Sequence, residues 1–158
     1  MGKKKITFKI NGVERTVEVE ANKTLLWLIR EELKLKGTKK ACERGDCGLC
    51  TVLLNGEPVK SCLVLAVEVD GSEILTVEGL AKDGELTPIQ KAFIQHGALQ
   101  CGFCTPAFLL VGHWLINRNP NPSREEVIEA INGLLCRCTG YKPIIDAIID
   151  AAKNFRKT

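Results

Sequence analysis

Eight cysteines in 158 residues, arranged as two sets of four, constrain this chain more than any other feature. Cys42, Cys47, Cys50 and Cys62 follow C-x4-C-x2-C-x11-C. Cys101, Cys104, Cys136 and Cys138 follow C-x2-C, then 31 residues, then C-x-C. A chain this rich in thiols is built around disulfides or around metal, and the compartment decides which. The charged start at Lys3-Lys4-Lys5 leads into the alternating Ile6-Thr7-Phe8-Lys9-Ile10, not into an apolar export core. Ile6 also breaks the myristoylation pattern. The longest near-continuous apolar run, Ala107 to Ile116, is too short to cross a bilayer. The expectation is a protein of the reducing cytoplasm, without a membrane span, whose cysteines hold metal.

The first set has the spacing of a plant-type 2Fe-2S centre. Three thiolates must converge from the single loop Cys42-Glu43-Arg44-Gly45-Asp46-Cys47-Gly48-Leu49-Cys50, so the backbone has to wrap tightly. Gly45 and Gly48 permit the left-handed conformations that such wrapping needs. Cys62, beyond the next hairpin, would close the site from the sheet side. Zinc usually shows two C-x2-C pairs, or one pair with two histidines. This half has one C-x2-C, an additional cysteine and no histidine. Iron–sulfur is therefore the stronger reading.

The second set is less specific by spacing alone. Cys101-Gly102-Phe103-Cys104 precedes the helix-start signal Thr105-Pro106, and Cys136-Arg137-Cys138 precedes the helix opened by Pro143. Helix N-termini favour thiolate. An extended Cys-Arg-Cys segment would point both of its thiols to one side. A four-cysteine zinc site stays open, and a thioredoxin-like C-x-x-C is a third reading that lacks its βαβ context.

The two halves differ in pattern. In the first, Ile6, Phe8 and Ile10 alternate up to Asn11-Gly12, and Val13 to Val19 resumes the alternation. This is a hairpin signal, repeated by Thr51 to Leu54, Asn55-Gly56 and Val59. Leu25, Leu26, Ile29 and Leu33 have helical spacing, with Gly37 as the expected stop, and Ile74 to Val77 reads as one more strand. An α+β roll follows, its sheet burying one face under the helix. In the second half, capping boxes at Thr87-Pro88-Ile89-Gln90 and Ser123-Arg124-Glu125-Glu126 flank the apolar segment 107–116. Together with the Pro143 helix they predict an all-α bundle of four helices. The join is Gly79 to Gly84. The expected domains are residues 1–79 and 85–158.

Charge gives no sign of a polyanionic partner. The net charge is +1 over residues 1–80 and +2 over 81–158, without a basic stripe, so nucleic acid is disfavoured. No Ser–His–Asp set, phosphate-binding glycine loop or carboxylate pair stands out, so the chain itself is read as non-catalytic. His113 is read as a core or interface imidazole, and His96 as a helix-end residue. Trp27, Trp114 and Tyr141 are read as packing, and Glu43 and Asp46 as solvated loop charges. Arg137 either raises a centre's potential or pairs with a partner's acid.

Three segments carry a family resemblance: Ala41-Cys42-Glu43-Arg44-Gly45-Asp46-Cys47-Gly48-Leu49-Cys50-Thr51-Val52, Gln100-Cys101-Gly102-Phe103-Cys104-Thr105-Pro106, and Leu135-Cys136-Arg137-Cys138-Thr139-Gly140-Tyr141. In order and spacing the chain resembles the small iron–sulfur subunit of molybdenum hydroxylases. That group includes xanthine dehydrogenase, aldehyde oxidoreductase and aerobic carbon monoxide dehydrogenase. The resemblance implies two 2Fe-2S clusters, one in an N-terminal β-grasp (plant-type ferredoxin-like) domain and one in a helical four-helix-bundle domain. It implies metal ligation by Cys42, Cys47, Cys50 and Cys62, and by Cys101, Cys104, Cys136 and Cys138. It further implies a molybdopterin on a large partner subunit, contacted by Gln100 and Cys138, and FAD on a medium subunit. The assembly would be a heterotrimer, alone or dimerised. The chain would relay electrons between molybdopterin and FAD. The alternative is a free-standing two-cluster ferredoxin-type carrier.

Overall fold

In the computed structural model, which describes residues 2–155, both Asn-Gly pairs make the turns their sequence predicts. Asn11 and Gly12 have φ of 50° and 80°, and Asn55 and Gly56 of 52° and 83°. Two successive left-handed residues define the type I′ turn that matches strand twist. They join β1 (Lys3–Ile10) to β2 (Val13–Glu20) and β3 (Thr51–Leu54) to β4 (Glu57–Lys60), with Ile10 opposite Val13 and Leu54 opposite Glu57. The fifth strand, β5 (Glu73–Leu75), lies between the hairpins, parallel to β1 and antiparallel to β3. The resulting order, β2-β1-β5-β3-β4, is a β-grasp. β5 ends earlier than expected because Asn11 captures Thr76. The Thr76 N–H donates to Asn11 Oδ1, and Asn11 Nδ2 donates to Thr76 Oγ1, each at 2.9 Å. Val77–Gly79 then forms a 3-10 turn.

The crossing helix is also shorter than its apolar spacing suggests. α1 (Leu25–Trp27) starts under Thr24, whose hydroxyl accepts from the Trp27 N–H at 3.1 Å, and widens into a π turn over Leu28–Glu32. Lys34, at φ 60°, takes the left-handed position that had been expected of Gly37. Gly37 instead lets two segments touch: a Cβ there would lie 2.3 Å from Val77 Cγ1, and its N–H donates to Glu78 Oε1 at 2.8 Å. Leu25, Leu28 and Ile29 close over Ile6, Phe8, Ile10, Val52 and Ile74 to form the first core.

The bundle comprises α2 (Pro88–Gln95), α3 (Thr105–Arg118), α4 (Arg124–Ile131) and α5 (Lys142–Phe155). Both expected capping boxes form. Gln90 Oε1 accepts from the Thr87 N–H at 2.8 Å, and Ser123 and Glu126 exchange bonds of 3.1 and 2.7 Å. At α3 the cap is Cys104, and Thr105 is already helical. Phe93, Phe108, Leu110, Ile144 and Ile148 fill the second core, together with Leu53 from β3. Neighbouring strand residues point to opposite faces. Val52 therefore serves the first core while Leu53 serves the second, and β3 is covered on both sides. The expectation of one buried sheet face is corrected accordingly.

Asp146 on α5 receives Lys142 Nζ at 2.7 Å and Arg124 of α4 at 2.8 Å. These two cations, Lys142 first, hold its carboxyl at about 2. A depressed carboxylate stabilises the fold above its ordinary titration range, and that contribution disappears as pH falls through about 2. Asp146→Asn is therefore expected to lower stability at neutral pH and to flatten the stability-against-pH curve between about pH 4 and 2, read by denaturant midpoints.

Candidate metal centres

The loop from Cys42 to Cys50 turns inward through three left-handed residues: Glu43 (φ 54°), Gly45 (φ 87°) and Gly48 (φ 67°). Sequence reasoning anticipated the two glycines and missed Glu43. Lys60 Nζ holds the loop by donating to the Gly45 carbonyl at 2.6 Å, and the Ser61 hydroxyl donates to the Cys50 carbonyl at 2.7 Å. Cys62 follows β4 on a 3-10 turn (Ser61–Leu63) and packs with Cys50 and Leu26. At the loop's start, the Cys47 N–H donates to Cys42 Sγ at 3.4 Å. Main-chain N–H groups of Arg44 and then Cys47 lower the Cys42 thiol to about 6. Burial, followed by the neighbouring Cys50, pushes Cys62 up to about 11.

The second set converges from the two ends of the helical half. Cys104 caps α3, and Cys138 Sγ lies 3.6 Å from Cys101 Sγ. The chain bends over Arg137–Thr139 instead of running extended. Cys136 pairs with Cys104 and Cys138 with Cys101. Burial, then Cys136, raises Cys104 to about 12. Burial also opposes ionisation of Cys136, but the Thr139 hydroxyl and N–H and the Cys138 N–H outweigh it and shift that thiol down. A main-chain donor near Phe103, then Cys138, lowers Cys101. Tyr141 does more than pack. Its hydroxyl accepts from the Cys136 N–H at 3.1 Å, while its ring meets Phe108 edge-on at 6.2 Å.

All eight thiols are free, and side-chain contacts join 42 with 47, 50 with 62, 101 with 138, and 104 with 136. Tetrahedral zinc would draw four sulfurs to one point. A binuclear iron–sulfur centre needs two sulfurs at each iron, inside a wrapped loop with N–H groups aimed at sulfur. The thiols are arranged in that second way, so a 2Fe-2S group fits each set.

The two sets are joined through the backbone. The Leu135 N–H, adjacent to Cys136, donates to the Cys47 carbonyl at 3.0 Å. A Cβ on Gly48 would lie 2.4 Å from the Gly133 carbonyl oxygen. On the outside of the second set, Gln100 is exposed beside Cys101, on a surface that also shows Leu99, Phe103, Leu135 and Arg137.

The side chains of the remaining singled-out residues have partners other than the thiols. His113 lies 3.2 Å from the Asn117 amide, and burial lowers its basicity. His96 meets Asp150 at 3.2 Å. Trp114 donates to Glu57 Oε2 at 3.1 Å, which ties α3 to β4. Lys23 sits over Trp27. Glu43 pairs with Lys40, and Asp46 pairs with Arg44. Among the described residues no helix is long and apolar enough to cross a membrane.

Residues 8–81 match the model of a 2Fe-2S iron–sulfur cluster binding domain, and residues 76–149 that of a second 2Fe-2S binding domain. The chain is 53% identical over 146 residues to the nicotine 6-hydroxylase small subunit of Paenarthrobacter nicotinovorans, covering 92% of this chain and 88% of that protein. It is 45% identical to the nicotinate dehydrogenase small FeS subunit of Eubacterium barkeri, covering 94% of each. The crystal structure of quinoline 2-oxidoreductase from Pseudomonas putida 86 contains a chain that superposes with a TM-score of 0.95 at 46% identity, covering 99% of this chain and 98% of that one. With two 2Fe-2S domains and near full-length relatives of this kind, the chain belongs to the family of small iron–sulfur subunits of molybdenum hydroxylases and is the electron-transfer subunit of such an oxidoreductase.

Proposed function

We propose that Cys42, Cys47, Cys50 and Cys62 hold one 2Fe-2S cluster in an N-terminal domain of residues 1–79. Cys101, Cys104, Cys136 and Cys138 then hold the other in a helical domain of residues 85–158. Met1 and residues 156–158 lie outside the described part. The observation that carries this reading is that the thiols meet two by two in both sets, Cys138 Sγ lying 3.6 Å from Cys101 Sγ. Bound there, the clusters supply one-electron chemistry between partners that exchange two electrons at a time. The chain's own part is to hold both groups in fixed relation. The Cys47 carbonyl to Leu135 N–H bond ties the first cysteine loop to the residue just before Cys136.

We infer that the second set faces a large molybdopterin subunit, with Gln100 and Cys138 contacting the pterin. Both residues are exposed, and so are their apolar chain neighbours Leu99, Phe103 and Leu135, which suits burial by a partner. The first set would face FAD on a medium subunit, completing a heterotrimer. Free thiols suit the reducing cytoplasm as its compartment. An independent ferredoxin would gain nothing from an apolar face beside its second centre, and this favours the subunit reading.

Metal and sulfide analysis of the purified chain in its complex tests the ligand reading. The expected result is about four irons and four acid-labile sulfides per chain. Zinc at about two per chain in a colourless preparation would sink it. Co-purification of larger chains carrying molybdenum and flavin tests the partners.

A further inference from the structure

We propose that Thr139 tunes the second centre, raising its reduction potential through an O–H···S hydrogen bond to Cys136. The inference rests on the reading of Cys136 as a cluster thiolate. Thr139 Oγ1 lies 3.2 Å from Cys136 Sγ, and the Thr139 N–H points at the same sulfur at 3.5 Å. The Tyr141 N–H donates to Thr139 Oγ1 at 3.2 Å. A threonine hydroxyl has one proton and two lone pairs. The Tyr141 amide can only donate, so it occupies a lone pair. A ligated Cys136 sulfur carries no proton, so in this contact only the hydroxyl can donate. The direction of the bond is thereby settled.

The loop keeps that hydroxyl in place. Tyr141 sits at φ 68°, an uncommon conformation for a bulky residue. It is held by its bond from the Cys136 N–H and by the edge contact with Phe108. Segment 136–141 therefore closes on itself, Cys136 to Tyr141 to Thr139 and back to Cys136. Among the described residues, Thr139 is the side-chain hydroxyl within hydrogen-bonding distance of a cysteine sulfur. Reduction adds negative charge to the centre, and a donor on its sulfur stabilises the reduced form more than the oxidised form. Gain of one electron is thus eased at the second centre, while the donors at Cys42 in the first are main-chain N–H groups and the Cys47 side chain.

The experiment is a redox titration of the purified complex followed by electron paramagnetic resonance, which separates the two clusters. Thr139→Val removes the hydroxyl at nearly constant shape, and Thr139→Ser retains it. Expected is a lower potential of the second centre in T139V, with the first unchanged and T139S close to the parent. One net hydrogen bond corresponds to about a tenfold change in electron partition between the centres, or 59 mV for a one-electron couple. An unmoved potential in T139V, or an equal shift in T139S, overturns the proposal. If T139V and Thr139→Ala both lose the second cluster while T139S keeps it, Thr139 is an anchor and tuning is likewise overturned. Iron and sulfide counts on the unsubstituted complex judge the ligand reading separately.

Discussion

Cys62→Ser is expected to halve the iron of the purified complex, from about four to about two atoms per chain, and to stop electron flow to the acceptor. Cys62 stands alone on its turn after β4, away from the loop that supplies the other three thiols of its set. Its removal leaves Cys50 without its partner and would leave a bound cluster with three of its four protein thiolates. The helical centre has its own four thiols and its own loops, so its paramagnetic signal should persist. Substrate-driven reduction of that surviving centre should continue, while reoxidation by the external acceptor falls by orders of magnitude. Iron analysis, freeze-quenched spectra and turnover measure the three effects separately. Loss of both clusters together would instead mean that the sets do not load independently.

Gly48→Ala should be strongly damaging although it alters no thiol. Two costs fall on one methyl group. At φ 67° an alanine pays about 1–2 kcal/mol for the left-handed backbone. Its Cβ would also lie 2.4 Å from the Gly133 carbonyl oxygen and 2.6 Å from Leu134 Cδ2. Forcing matter into a filled site costs about 1–3 kcal/mol more. The sum, about 2–5 kcal/mol, corresponds to a melting midpoint lower by roughly 5–20 °C in a chain of this size. Because the strain acts where the cluster loop meets the segment before Cys136, iron should be lost from both sets. Gly56→Ala, at φ 83° with nothing within 4 Å of the added Cβ, is the control for backbone cost alone. Calorimetry of the two variants separates the packing cost from the conformational one.

What sequence reasoning recovered was mostly local. Asn11-Gly12 and Asn55-Gly56 specify their turns within two residues, and Thr87/Gln90 and Ser123/Glu126 specify their helix starts within four. The two 2Fe-2S domains were legible because the C-x4-C-x2-C and C-x2-C spacings are local signatures. What escaped depends on distant neighbours. The end of α1 is set by the left-handed turn at Lys34, and Gly37 is kept small by Val77, forty residues on. The end of β5 is set by Asn11, and the second role of β3 by a bundle that begins more than thirty residues later. The coupling of Cys136 with Cys104 and of Cys138 with Cys101 could not be read from a C-x-C spacing that suits an extended chain equally well. Tyr141 looked like packing because nothing in its neighbours announces a positive φ.

The bond from the Leu135 N–H to the Cys47 carbonyl has an evolutionary reading. Leu135 is 53% exposed, and the bond does not use its side chain. Residue 135 is thus free to change with whatever surface a partner presents, while its amide continues to set the separation of the metal-bearing loops. Among the twenty amino acids only proline lacks the required hydrogen. The spacing that electron tunnelling depends on is in this way insulated from mutational drift, and the face around it can diversify without detuning the rate.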